Sequence, residues 1–259
     1  DKEGKQAFLN AAEEMYEEFL RERPQEFFLM AAIQGKHRGI EPGLIICEEN
    51  LTSQNSPNVA SMAMSILRAN RGTANQDQIA RVEKLLLQAR EQHPDTVGLS
   101  LELAELRELQ GNYTEASQLY RSVIDNPKSP LPQQAAAKNN LAYLLAVHDD
   151  NGNEALPLVE QAIAYFGPTA ELLDTRGVVH ATRKDYEQAI RDLSEAVEDR
   201  PSGLKYFHLA WAHHLAGNAD AATQAMQQAD ANGLKDEEIS PLERERLLEL
   251  RDDMKPSKR

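Results

Sequence analysis

The sequence predicts an all-α solenoid of stacked helix–turn–helix repeats, and three observations predict it. Residues 170–234 hold two copies of one pattern offset by 33 residues: Gly177 matches Ala210, Ala189 matches Ala222, Leu193 matches Met226 and Ala196 matches Ala229. Small side chains recur where two helices must approach closely, with larger apolar ones between them. Such a unit buries its apolar face only by stacking on a neighbour. Prolines at 24, 57, 94, 127, 168 and 201 are spaced by 33, 37, 33, 41 and 33 residues. Each can end a helix, because proline lacks the N–H and clashes with the preceding turn. Finally, aromatics make up only 5% of the chain while Ala, Leu, Glu and Gln dominate. Those are strong helix formers that suit helices packed through small residues.

The elements follow in order. Ala7, Phe8, Ala11, Ala12, Met15, Tyr16, Phe19 and Leu20 recur at helical spacing over 3–23, before Pro24, so 1–24 reads as an N-terminal capping helix. A degenerate repeat covers 25–56, with FFLMAAIQGKH as its first helix, GLIICEEN as its second and a Gly39–Gly43 turn between. The next repeat, 57–94, carries VASMAMSILRA, the polar turn RGTANQDQ and IARVEKLLLQARE. Repeat 97–130 has Leu103 and Ala104, the turn Gly111-Asn112-Tyr113, then Ala116, Tyr120 and Val123. Repeat 135–168 has Leu141, Ala142, Ala155, Val159 and Ala162 around the turn HDDNGN. The matched pair fills 170–201 and 203–234. Residues 240–254 then read as a charged C-terminal capping helix, with Ser240 as N-cap and Pro241 at its first position.

This pattern resembles the tetratricopeptide repeat, and its phrasing over 175–190 and 233–247 resembles bacterial members of that family. The resemblance covers 57–234 firmly and 25–56 weakly. It implies a right-handed α–α superhelix of about six repeats with capping helices at its ends. It also implies a protein–protein interaction scaffold that binds a peptide or helical segment in a concave groove lined by the first helix of each repeat. Carried onto this chain, the groove residues are Leu101, Glu105 and Glu108, then Asn139, Tyr143 and Val147, then Asp174 and Val178, and finally Phe207, Trp211 and His214. One use of the fold grips a terminal carboxylate through Lys, Asn and Arg. Only Asn140 fits that scheme here, so the clamp is absent. A groove with Glu105, Glu108, Glu171 and Asp174 along one side suits a segment with apolar anchors and some Lys or Arg. Phe207, Trp211 and His214 share one helical face and read either as anchors for that partner or as side chains that 240–254 folds across. Arg176 replaces the leucine usual at its repeat position, so it either pairs with a carboxylate nearby or reaches an acidic group on a partner.

Composition sets further bounds. The formal charge of −14 and a chain 41% hydrophobic argue for a folded acidic protein, and against nucleic-acid or anionic-membrane partners, which need clustered Lys and Arg. No apolar run is long enough to insert in a membrane. Cys47 is the single cysteine, so the chain forms no internal disulfide and no thiolate zinc site. The spacing of His208, His213 and His214 does not suit two metal ligands on one helical face, and His180 and His213 read as packing residues. Asp149, Asn151, Asn153 and Glu160 have calcium-loop spacing, but Glu154 stands where that loop needs Gly. No catalytic signature is present, so no enzyme, cofactor or metal is expected. The alternative is a regulatory, targeting or self-assembling repeat region of a larger protein, whether or not that protein is an enzyme, and a homo-oligomer is compatible with the scaffold reading. The chain opens DKEGK without Met, reads as a fragment, and leaves its compartment open between cytoplasm and periplasm.

Overall fold

The computed structural model describes residues 26–236 and 239–254, with residues 4, 10, 11, 14, 15, 18, 19 and 21–23 before them. The helix expected over 3–23 falls mostly outside the described residues. Among those described, every regular element is an α-helix and none is a strand. Thirteen follow one another: α1 (Phe27–His37), α2 (Ile40–Glu49), α3 (Ser56–Ala69), α4 (Gln76–Gln92), α5 (Val97–Leu109), α6 (Tyr113–Asp125) and α7 (Leu131–Val147). Then come α8 (Gly152–Phe166), α9 (Ala170–Thr182), α10 (Tyr186–Asp199), α11 (Gly203–Leu215), α12 (Ala219–Ala231) and α13 (Pro241–Asp253). No helix among the described residues is long and apolar enough to cross a membrane.

The chain forms two compact bodies, 1–106 and 107–259. In the first, α1 packs on α2, α3 on α4, and both α1 and α2 on α3. Its core is built from Ala31, Leu44, Cys47, Val59, Ala63, Met64, Val82 and Leu86, all fully buried. Burial pushes the Cys47 thiol up to about 12, so it stays protonated and behaves as a small apolar side chain. Helix α4 is started by a capping box, in which Asn75 accepts from the Gln78 N–H and the Gln78 side chain accepts from the Asn75 N–H. One expectation is corrected here. The turn between α1 and α2 does not run to Gly43, because α2 already begins at Ile40. Gly43 is a helical residue whose missing side chain permits close approach: a Cβ there would lie 2.9 Å from the Ala31 carbonyl oxygen and 3.0 Å from the Gly35 Cα.

In the second body, consecutive helices pair: α7 with α8, α9 with α10, α11 with α12. The first members of these pairs form a layer, since α9 packs on both α7 and α11. Thr182 of α9 also donates to the Ala146 carbonyl of α7 at 3.2 Å. The small residues of the repeated pattern sit at the crossings. A Cβ on Gly177 would come within 2.5 Å of Leu193 Cγ and 3.2 Å of the Ala189 carbonyl oxygen, while Ala189, Ala210, Ala222 and Ala229 are all fully buried. Helix α9 is capped by Thr169 and α11 by Ser202, each accepting from a backbone N–H three residues on. Ser240 makes no such side-chain bond ahead of α13, against expectation; its carbonyl accepts from the Glu243 N–H instead.

Candidate functional site

Helix α13 positions the site. Its side chains at 243, 247 and 250 recur at i, i+4 and i+7 and therefore share one face. Glu243 is 2% exposed, Leu247 1% and Leu250 0%, whereas Arg244, Glu245, Leu248 and Glu249 face solvent. The two leucines join Phe207, Leu209, Ala210, Ala212 and Ile239 in one core cluster, with Trp211, Leu215 and Met254 packed against it. Helix α13 thus lies on α11, and its first turns also reach α7.

The polar centre of this contact draws on four helices. His208 of α11 donates through Nδ1 to Asp174 of α9, at 2.8 and 3.0 Å from its two oxygens, and through Nε2 to Glu243 Oε1 at 3.0 Å. Tyr143 of α7 donates its hydroxyl proton to Glu243 Oε2 at 2.5 Å. Burial opposes a charge on His208, but the carboxylates of Asp174 and Glu243 outweigh it and hold the imidazolium up to about 10. Glu243 is in the same balance: burial pushes its carboxyl up, and the His208 charge with the bonds from His208 and Tyr143 brings it below the usual range. Burial and then the Glu243 charge keep the Tyr143 phenol well above its ordinary value. With a proton on each nitrogen and a carboxylate on each side, His208 has no free lone pair to act as a base. The arrangement holds the Glu243 carboxylate between two donors from two helices.

Around this centre Arg246 crosses the Trp211 ring at 5.9 Å and donates to the Val147 carbonyl at 3.3 Å. His214 stacks on Trp211 with ring centroids 5.7 Å apart and faces Asp253 at 3.4 Å. Arg251 pairs with Asp236 and Asp230, fastening the far end of α13 to α12 and the loop beyond it.

Of the expected groove residues, Tyr143, Val147, Asp174, Phe207, Trp211 and His214 come together around α13. Leu101 and Glu105 lie in the first body, where Arg68 binds both oxygens of Glu105 at 2.7 and 2.6 Å. Glu108 accepts from the Tyr120 hydroxyl, Asn139 donates to Asn140, and Val178 is buried at 7% exposure. Two expectations are therefore corrected. The row of carboxylates for a basic ligand is not free: Asp174 is 9% exposed and spent on His208, Glu105 on Arg68, and Glu108 on Tyr120. Phe207 is not surplus to the core either; it is 1% exposed among Leu247 and Leu250. Arg176 holds Asp192 of its own helix pair through Nε and Nη2 at 2.6 and 2.8 Å, the nearby carboxylate that the sequence leaves as one of its two readings. The residues missed from sequence are His208 and Glu243. Their signal was a lone acid on the leucine face of α13.

The architecture is shared with known proteins. A family model described as tetratricopeptide repeat matches residues 75–130 and 175–236. Those residues are tetratricopeptide repeats. Among solved structures, a tetratricopeptide repeat protein of Parabacteroides merdae is 14% identical, covers 95% of this chain and 93% of its own, and superposes with a TM-score of 0.66. A thermophilic tetratricopeptide-repeat protein of Thermus thermophilus is 16% identical over 78% of this chain and 97% of its own, with a TM-score of 0.57. A MamA fragment of Desulfovibrio magneticus is 15% identical over 70% of this chain and 97% of its own, with a TM-score of 0.52. At such identities the likeness is one of fold. A comparison with curated proteins gives no match. In this chain, Tyr143, Asp174, Phe207, Trp211 and His214 hold a helix of the same polypeptide.

Proposed function

We propose that this protein is an interaction scaffold whose layer of first helices in 107–259 holds a helical segment of a partner protein, with α13 occupying that place in the free chain. The observation that carries the reading is the seating of α13. A helix from beyond the last helix pair buries Glu243, Leu247 and Leu250 against α11 and engages α7 through Tyr143 and Val147. A helix laid into a groove by residues at i, i+4 and i+7 is a recurrent mode of peptide recognition. Its partner must displace α13, which is tethered and therefore competes at an effective concentration in the millimolar range, about that of a short linker.

The test is complementation. In the full chain, Leu247→Glu with Leu250→Glu places charges in the core cluster and should loosen α13, with circular dichroism confirming that the helix pairs stay folded. A labelled peptide of residues 240–254 should then bind this variant in an anisotropy titration and bind the wild-type chain far more weakly. A folded variant that takes up no peptide would sink the reading.

A further inference from the structure

We infer that this surface selects its partner helix by one side-chain carboxylate: a glutamate on the leucine face, followed by leucines four and seven positions later, read by His208 and Tyr143. The inference rests on the scaffold reading above and adds which helix fits.

The geometry favours a carboxylate. Two donors from two different helices meet the two oxygens of one group, Nε2 of His208 at Oε1 and the Tyr143 hydroxyl at Oε2. An amide in that place would keep a neutral bond from His208 and turn its NH2 to the Tyr143 oxygen, losing the charge pairing with the imidazolium, and an ammonium would face that imidazolium. The reader is also held ready from behind. Asp174 takes the Nδ1 proton of His208 through both of its oxygens, which fixes the ring plane and points Nε2–H toward the α13 side. A buried acid is costly unless paired, and an apolar side chain would fill the same place more simply. Yet Glu243 is the acid on the buried face of α13, while Glu245 and Glu249 are exposed. The chain's own occupant therefore displays the chemistry that the surface asks of a partner. A chain-terminal carboxylate does not meet it, because the apolar sites of Leu247 and Leu250 must be filled by residues that follow the acid.

The experiment has a cis and a trans arm. In the full chain, Glu243→Gln should release α13 and move the emission of Trp211, the single tryptophan, to the red, while Glu245→Gln leaves it in place. Equal spectra for the two variants would overturn the inference. In trans, the full chain carrying Glu243→Lys is titrated with three labelled peptides of residues 240–254 bearing Glu, Gln or Lys at 243. The Glu peptide should bind about tenfold or more tightly than the other two, because a charge-assisted pair of bonds is lost in each. Adding Tyr143→Phe, which keeps the ring and removes one donor, should narrow that preference several-fold. Three peptides binding equally would overturn the carboxylate reading and leave helix binding intact; no peptide binding to a folded host would overturn both. A wild-type dimer that Glu243→Lys turns to monomer, seen by sedimentation at several concentrations, would identify the occupant as a second copy and overturn the assignment to a different protein.

Discussion

Helix α9 presents two ionic clusters on opposite faces, and they differ in what completes them. On one face Arg176 binds Asp192 through two nitrogens, with His180 close by at 3.9 Å from the same carboxylate. All three side chains come from α9 and its mate α10, and Arg176 and Asp192 are only 16 residues apart. On the other face, Asp174 binds His208, whose second nitrogen is met by Glu243 from beyond the last pair. The first cluster closes within a helix pair and stands whatever α13 does. The second is complete only with α13 in place. Two residues of offset on one helix thus separate a contact that maintains the fold from one that recognises an occupant.

The sharpest way to break that comparison is to remove the acid of the closed cluster. Asp192 is 7% exposed at its side chain, and Asp192→Ala leaves the guanidinium of Arg176 without its two-pronged acceptor. Because Arg176 keeps 26% of its side chain in solvent, water compensates in part. The expected loss is about 2–3 kcal/mol of global stability, below the full cost of a stranded buried charge. It would be read from the denaturation midpoint in urea. A loss well under 1 kcal/mol would mean that the pair is incidental to the fold.

Alkali should act on the other cluster first. His208 holds its proton up to about 10, above its ordinary 6.5, so the folded chain keeps a proton that the unfolded chain loses between those values, held first by Asp174 of the fold and then by Glu243 of α13. Its contribution is complete below about 6.5, weakens as pH rises through that window and is gone above about 10. The groups facing His208 and Glu243 are Asp174, Tyr143 and Arg246. Glu243 works in the opposite sense: its value is lowered, so its share is present above the ordinary 4.5 and disappears as pH falls through the folded value. Trp211 emission should therefore shift to the red toward pH 10 while helicity stays nearly constant. Loss of both signals together would join the two clusters into one cooperative unit.

A smaller effect is expected from Arg246, which meets Trp211 and the Val147 carbonyl at the edge of the contact. Arg246→Ala should weaken α13 docking by roughly 0.5–1 kcal/mol, the range of a partly exposed cation over an aromatic ring. Hydrogen exchange of the α13 amides measures it. An effect as large as that of Glu243→Gln would move the centre of recognition from the buried carboxylate to this edge.

The sequence carried the local half of this picture and little of the other. The crossings at Gly177 and Ala189 were legible because the same small residues return 33 positions later. The acid expected near Arg176 was also within reach, one helix away. By contrast, the 33-residue period stacks the helices of Asp174 and His208, 34 residues apart, but does not place α13, which brings Glu243 to His208. Periodicity puts Glu243, and not Glu245 or Glu249, on the face of Leu247 and Leu250, but it does not say which side chains meet an acid buried there. Gly43 was misread for a related reason. A glycine that serves close packing and a glycine that breaks a helix look the same in sequence.

The smallest prediction tests the comparison from outside both clusters. Arg68 and Glu105 form a two-bond pair in the first body, with 50% and 35% of their side chains exposed. Its geometry equals that of Arg176 and Asp192, yet solvent screens it, and exposed pairs contribute about 0.2–1 kcal/mol. Glu105→Gln should therefore shift the denaturation midpoint only slightly, and less still in high salt. It should leave Trp211 emission and the binding of the 240–254 peptide unchanged, because the acid belongs to the body that holds neither. If Glu105→Gln altered peptide binding, an acidic strip running beyond α13 would return to consideration, and recognition would no longer rest on the face of α9 that carries Asp174.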